Sequence, residues 1–299
     1  MLLAAVEERD GIPIAKKFDL IAGTSTGGII ACAMAYGISA NRLVSLYRDH
    51  GGTIFARSLP RKLATGFGTW AAKYRTDALQ KQLLILGDAR LSTRSLHCQL
   101  LVPTYCTHLP KDQLNEGLTE GASSMFFKTW RARADVHYDF TLRDVALATS
   151  AAPTFFPAAV IDNLAGESFS CVDGGVFANN PSLCALASAH ELWPGEDVQL
   201  VSIGTGTKVK STPAADWGLL QWGSKVSAVF MDGAADSVSY VARDLLGNRF
   251  IRCETDIACG AAEAFDDASP ANIAALVRLG TAFANQFLPA FEAATARIT

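Results

Sequence analysis

No apolar run in this sequence approaches the ~20 residues needed to span a bilayer, so no membrane-crossing helix is expected. Charge is scarce as well: 18% of the residues are Asp, Glu, Lys or Arg, and the formal net charge is −3. Nucleic-acid binding calls for a strongly basic footprint, and acidic lipids call for a polybasic anchor; the sequence has neither. The opening residues MLLAAVEERDG are too acidic, and too short in apolar length, for a secretory signal. Of the seven cysteines none forms a C-x-x-C pair, and no histidines follow at zinc-finger spacing, so no metal site is predicted. These absences predict buried, reduced thiols in a soluble cytoplasmic protein that meets membranes only from outside.

What is present is apolar bulk in alternating patterns. Hydrophobic residues make up 49% of the 299, enough for a large core. The runs FDLIA, LHCQLLVPTYC, SMFFKTWRA, VQLVSIGTG and FIRCE read as strands. Between them IIACAMAY, TLRDVALATSAAP and PSLCALASAHEL read as helices, as do 40–49, 76–86, most of 216–246 and 270–296. Residues 51–75, with five glycines or prolines by position 68, read as a loop. Strands alternating with helices predict an α/β sandwich on a largely parallel sheet. Without a repeat, a low-complexity tract or a linker, a single domain over 1–299 is expected.

The sharpest local signal is Gly23-Thr24-Ser25-Thr26-Gly27-Gly28, directly after FDLIA and directly before IIACAMAY. A G-x-S-x-G between strand and helix makes a tight turn that holds its serine outward. The serine then sits at a helix N-terminus, where free N–H groups favour developing negative charge. A phosphate-cradling loop would need lysine after the last glycine, where Ile29 stands, and G-x-G-x-x-G is not matched. Ser25 is therefore the candidate nucleophile. Its base is not readily a histidine. The last of the five, His190, lies inside a helical stretch, and His50 has no orienting acid in register. The alternative is Asp173-Gly174-Gly175, where the strand SFSCV ends. A carboxylate there can take the serine proton directly, with the glycines allowing close approach.

Together, G-T-S-T-G-G at 23–28 and D-G-G at 173–175 resemble the two signatures of the patatin-like phospholipases. Ser150-Ala-Ala-Pro153, Phe155-Phe156-Pro157, Asn179-Asn180-Pro181 and Ser202-Ile203-Gly204-Thr205-Gly206 follow that family's pattern in order. The resemblance covers most of residues 1–210 and implies a three-layer α/β sandwich with a Ser25–Asp173 dyad and no cofactor. It implies hydrolysis of ester bonds in glycerophospholipids or related acyl lipids, with peripheral contact at a membrane. It also admits a small-molecule or protein activator, although no residue identifies one.

The family carries a glycine-rich oxyanion loop, D-G-G-G-x-R-G, one helix before the nucleophile. Here LLAAVEERDGIPIAKKFD matches the stretch just after that loop, and the glycines are not found. Losing an oxyanion donor costs about a hundred- to a thousandfold in rate. A start set too late or a trimmed form is the expected explanation; a weakened lipid- or partner-binding module on the same fold is the alternative expectation, and a triad esterase using His190 is a third. Two further features stay open between function and packing. Phe55, Phe67 and Trp70 offer a membrane-facing or a lid surface, and Arg131, Arg133 and Arg143 offer a phosphate site or ordinary surface charge.

Overall fold

In the computed structural model, the described residues are 1–55, 71–108, 122–206, 218, 226–257, 261 and 266–295. The chain opens with α1 (Leu2–Asp10), β1 (Leu20–Ala22), α2 (Thr26–Tyr36) and α3 (Ala40–Ile54), followed by α4 (Asp77–Leu83). The middle holds β2 (Gln99–His108), β3 (Ser123–Lys128), α5 (Thr129–Ala134), α6 (Leu142–Thr149), β4 (Ala159–Asp162) and β5 (Ser168–Asp173). Then come α7 (Gly175–Ala178), α8 (Ser182–Leu192), β6 (Leu200–Ile203), α9 (Val226–Leu246), β7 (Phe250–Cys253) and α10 (Pro270–Thr295). This is an α/β architecture with helices on both sides of its sheet.

The main sheet has five strands and is mixed: β1 pairs parallel with β2, while β2–β3, β2–β5 and β4–β5 are antiparallel. Strands β6 and β7 form a separate parallel pair. The register on β2 positions everything else. Along one edge β3 runs without a break from Leu101 to Cys106. A strand has only two edges, so β1, against Gln99–Leu101, and β5, against Thr104–His108, must share the other. They run in opposite directions, and their C-terminal ends converge on the gap at Val102 and Pro103. A proline inside a central strand ordinarily loses a ladder bond. Here its missing N–H faces the gap, where no strand runs.

Helix α2 is apolar nearly all round because it is buried on most sides, from Gly28 through Ala35. Helix α6 is fixed at its start by Thr141, which accepts from Asp144 N at 3.1 Å and donates to that carboxylate at 2.7 Å. The core is centred on Phe127, Phe140 and Phe169, packed edge to face at 5.1 and 5.2 Å. Glu7 links α1 to its surroundings by accepting from Ile14 N at 3.0 Å and Ala40 N at 2.7 Å.

Two local expectations need correction. The run SMFFKTWRA is a strand only to Lys128; from Thr129 it is helical, and Thr129 Oγ1 accepts from Leu100 N. Residues 51–54 extend α3 instead of opening a loop, and 56–70 lie outside the described residues, as do 216–217 and 219–225. Six cysteines are free thiols, five of them buried, and Cys259 lies outside the described residues. Burial pushes Cys98 up to about 12, so it carries no reactive thiolate at neutral pH.

Between α2, α3 and α4 lies a void of about 10 Å³ with an apolar accessible lining, into which Tyr47 projects. The Tyr47 hydroxyl is buried with no hydrogen-bond partner among the described residues, and burial raises its pKa. An orphaned buried hydroxyl costs about 1–3 kcal/mol. Tyr47→Phe should therefore stabilise the chain by about 1 kcal/mol, read as a higher urea midpoint at unchanged slope; a lower midpoint would show that the hydroxyl has a partner.

Candidate active site

The turn from β1 into α2 carries Ser25 at φ 56 and ψ −126. Residues other than glycine rarely take this conformation, which costs about 1–3 kcal/mol and needs support from its surroundings. The support is a chain of hydrogen bonds rooted in the β2 gap. Ser25 N donates to Thr149 Oγ1 at 3.0 Å, and Thr149 Oγ1 donates to Pro103 O at 2.6 Å. On the preceding residue Thr24 Oγ1 donates to Ala178 O at 2.7 Å. Beyond the turn, Ser25 O accepts from Gly28 N and Ile29 N at 2.9 and 3.1 Å, starting the helix.

Two of the turn's glycines are sterically required. A Cβ on Gly23 would lie 2.1 Å from Gly27 O, and one on Gly28 would lie 2.6 Å from Thr149 Cγ2. Gly27 differs, since a Cβ there meets nothing within 4 Å. Thr26, beside it, is exposed. The first turn of α2 thus leaves open space next to the serine.

Asp173 is the last residue of β5 and is 6% exposed. Its N–H donates to Ala151 O at 3.0 Å, within the segment Ser150-Ala-Ala-Pro153. One carboxylate oxygen accepts from Gly175 N at 2.7 Å, and the other accepts from Ser25 Oγ at 2.6 Å. Gly174 lets the chain turn away here, because a Cβ would stand 2.3 Å from Pro103 O. Burial pushes the Asp173 carboxyl above its ordinary pKa, and the hydrogen bonds from Ser25 and Gly175 oppose the shift. The two motifs, 148 residues apart, meet as a hydroxyl against a buried carboxylate.

None of the five histidines bonds to Ser25 or Asp173. His190 and His50 are exposed on their helices, and His137 pairs with Glu167 at 2.9 Å. Among the described residues no group of three or more metal-ligating side chains comes together. The three arginines do not converge on a phosphate site. Arg143 pairs with Asp88 at 2.8 Å, Arg133 donates to Gln99, and Arg131 lies over the Tyr138 ring. Phe55 packs at 5.4 Å against Tyr74 and at 6.1 Å against Phe156, while Phe67 and Trp70 lie outside the described residues. Sequence reading missed Pro103 and Thr149; the proline interrupting LVPTYC was the available signal.

The Asn179-Asn180-Pro181 and Ser202–Gly206 segments build a second layer. Asn180 Oδ1 accepts from Ser182 N and Oγ at 3.1 and 2.6 Å, and its Nδ2 donates to Ser239 Oγ of α9 at 3.0 Å. Ser182 Oγ and Ser202 Oγ are hydrogen-bonded at 2.9 Å, and with the Ser182 proton on Asn180 Oδ1 it is Ser202, itself accepting from Arg252 at 2.7 Å, that donates. Arg252 pairs with Glu254, and Glu254 accepts from Gly206 N at 2.7 Å.

An α/β fold with a serine at a strained strand-to-helix turn has the architecture of serine hydrolases. Residues 2–186 match the patatin-like phospholipase family, and the chain belongs to that family. It is 32% identical over 261 residues to a cGAMP-activated phospholipase of Pseudomonas aeruginosa, covering 85% of this chain and 72% of the relative. A cGAMP-activated phospholipase of Vibrio cholerae is 30% identical over 319 residues, covering 94% and 83%. Patatin-like protein 2 of Oryza sativa subsp. indica is 30% identical over 319 residues, covering 89% and 74%. Membership of this family supports a lipid hydrolase.

The glycine geometry sets an order of tolerance. Gly27→Ala should fold with stability within about 1 kcal/mol of the parent, whereas Gly23→Ala and Gly174→Ala should each lose more than about 2 kcal/mol. Thermal melts of the three variants check this, and equal losses would contradict the geometry.

Proposed function

We propose that this chain is a lipid acyl hydrolase of phospholipase A type, a single domain over 1–299, cleaving glycerophospholipid esters through a Ser25–Asp173 dyad. The observation that carries the reading is the 2.6 Å contact between Ser25 Oγ and Asp173 Oδ2 at a strained turn. That contact favours a hydrolase over a binding module, which has no use for a serine held against a buried carboxylate.

In this reading Ser25 Oγ attacks the acyl carbonyl while its proton passes to Asp173 Oδ2. Negative charge develops on the carbonyl oxygen. The first N–H groups of α2, at Thr26 and Gly27, have no acceptor within the helix by position and are the candidate donors to it. Asp173 then returns the proton to the leaving alkoxide, which departs as the lysolipid hydroxyl, and the acyl group stays on Ser25. A water gives a proton to Asp173 and attacks the acyl carbon; the bond to Ser25 Oγ then breaks, Ser25 Oγ takes that proton back from Asp173, and the fatty acid leaves. Gly175 N, bonded to the far oxygen of Asp173, keeps the working oxygen turned toward the serine.

The acyl lipid is met at a membrane surface, from a protein in the cytoplasm. No helix among the described residues is long and apolar enough to cross a membrane. The Pseudomonas and Vibrio relatives carry cGAMP activation in their names, which supports a small-molecule activator for this chain too.

Fatty-acid release from mixed phospholipid vesicles should fall by about a thousandfold or more in Ser25→Ala, and comparably in Asp173→Asn. Turnover surviving in both variants would sink the dyad. The pH profile gives a second check. Asp173 must be ionised to accept the proton, and burial raises its pKa. The acid limb of kcat/KM should therefore lie above the ~3.9 of an ordinary aspartate. The stability effect has the opposite sign. The folded chain holds this proton more tightly than the unfolded chain, so stability falls as pH rises from the unfolded toward the folded pKa. Asp173→Asn keeps both hydrogen-bond positions without the buried charge. It should melt above the parent at neutral pH, and a lower melt there would contradict the desolvation argument.

A further inference from the structure

Helix α9 buries one face and leaves a second apolar stripe bare. Its inward side is Met231, Ala235, Val238, Ala242 and Leu246, with Ala242 fully buried. On the flank, Phe230, Ala234, Ser237, Val241 and Leu245 are all exposed, at spacings of three or four that put them on one side of a helix. Phe230 is 71% and Leu245 60% exposed, and the stripe carries no charge. From Phe230 to Leu245 it runs about 22 Å at 1.5 Å per residue. Large apolar side chains lined up in this way are not the scattered exposure that any surface shows.

The stripe starts at the rim of the candidate active site. Met231, next to Phe230, has its Cε 3.6 Å from where a Cβ on Gly175 would stand, and Gly175 N holds the Asp173 carboxylate. Val176, the following residue, is exposed as well. Asn180 binds the middle of the helix through Ser239 Oγ and Ala235 O. The remaining polar surface of α9 is acidic, with exposed Asp232, Asp236 and Asp244 against the single cation Arg243. Helices that settle on anionic lipid carry Lys and Arg beside their apolar face; this one carries the opposite charge.

We propose that the Phe230–Leu245 stripe of α9 is the surface by which the protein rests on lipid, and that it selects zwitterionic over anionic membranes. The inference takes from the proposed function only that the ligand is a lipid surface. Seating this stripe brings the rim at Gly175 and Val176 against the headgroups, while the three aspartates are repelled by a negative surface.

The test uses the full chain with Ser25→Ala, so that the vesicles stay intact. Its sedimentation with phosphatidylcholine vesicles is compared with that of the same chain carrying Phe230→Ser, Val241→Ser and Leu245→Ser. At least a tenfold drop in partitioning is expected from the triple change. Adding phosphatidylglycerol should weaken binding of the parent, and raising the salt concentration should restore it. Unchanged partitioning of the triple variant, or stronger binding to phosphatidylglycerol, overturns the proposal. So does a dimer on size exclusion that the triple change dissolves, since the stripe would then hold a second copy. Hydrolysis of a short-chain ester below its micelle concentration, measured with Ser25 in place, separates the two readings. Equal rates in parent and triple variant show an intact fold and site. No hydrolysis by either, with stripe-dependent partitioning retained, removes the hydrolase reading and leaves the docking surface standing.

Discussion

The structure of the site depends on an interruption in the hydrogen bonding along one edge of β2. Strands β1 and β5 approach that edge from opposite directions and both stop short of Val102 and Pro103. The Pro103 carbonyl, left without a strand partner there, is taken by Thr149 Oγ1 at 2.6 Å. A buried carbonyl needs such a partner, and Thr149 uses its remaining capacity to accept from Ser25 N. One unsatisfied acceptor thus explains why a threonine ends α6 and why the Ser25 peptide is held in a conformation it would not adopt alone. The glycines follow from the same crowding: Gly174 passes close to Pro103 O, and Gly28 passes close to Thr149.

A serine with a carboxylate as its direct partner behaves differently from one with imidazole between them. An ordinary aspartate near pKa 3.9 is a weak base at neutral pH. Desolvation counters this by penalising the charged form, and among the described residues no cation is bonded to Asp173 to cancel the penalty. The two hydrogen bonds that remain, from Gly175 N and Ser25 Oγ, oppose the upward shift and orient the carboxylate. In the proposed reaction the base strength of Asp173 comes from burial, and the fold bears that cost in stability.

The second sheet matters to the site through α8 and α9, not through strand pairing with the first. Asn180, Ser182 and Ser202 are all buried and all satisfied by one another, with Arg252 and Glu254 closing the network at the β6–β7 ends. A fully satisfied polar cluster fixes one arrangement because any displaced member leaves an orphan. Its consequence here is placement. It holds α9 beside the turn after Asp173, with one apolar face inward and a second facing out.

Much of this was legible in the sequence. Gly23–Gly28 between a short apolar run and a buried helix declares the turn, because only that order of small residues and apolar stretches suits a strand, a sharp bend and a helix. SFSCVDGG shows its alternation and its stop, and the strand spans Ser168–Asp173 as read. Other features depended on contacts that no local pattern records. SMFFKTWRA keeps its strand only while β2 lies alongside, then turns helical where Thr129 takes the N–H of Leu100. The mixed pairing of the sheet, the sharing of one β2 edge by two strands and the role of Pro103 are matters of long-range register. By itself the sequence determined the local conformations and the residue types able to do chemistry, since propensity, spacing and side-chain pKa are properties of short segments. The tertiary structure alone decided that Ser25 and Asp173 meet at 2.6 Å, that Thr149 supports them and that Gly28, not Gly27, is the crowded glycine, because distances between segments far apart in the chain are fixed only when the sheet closes.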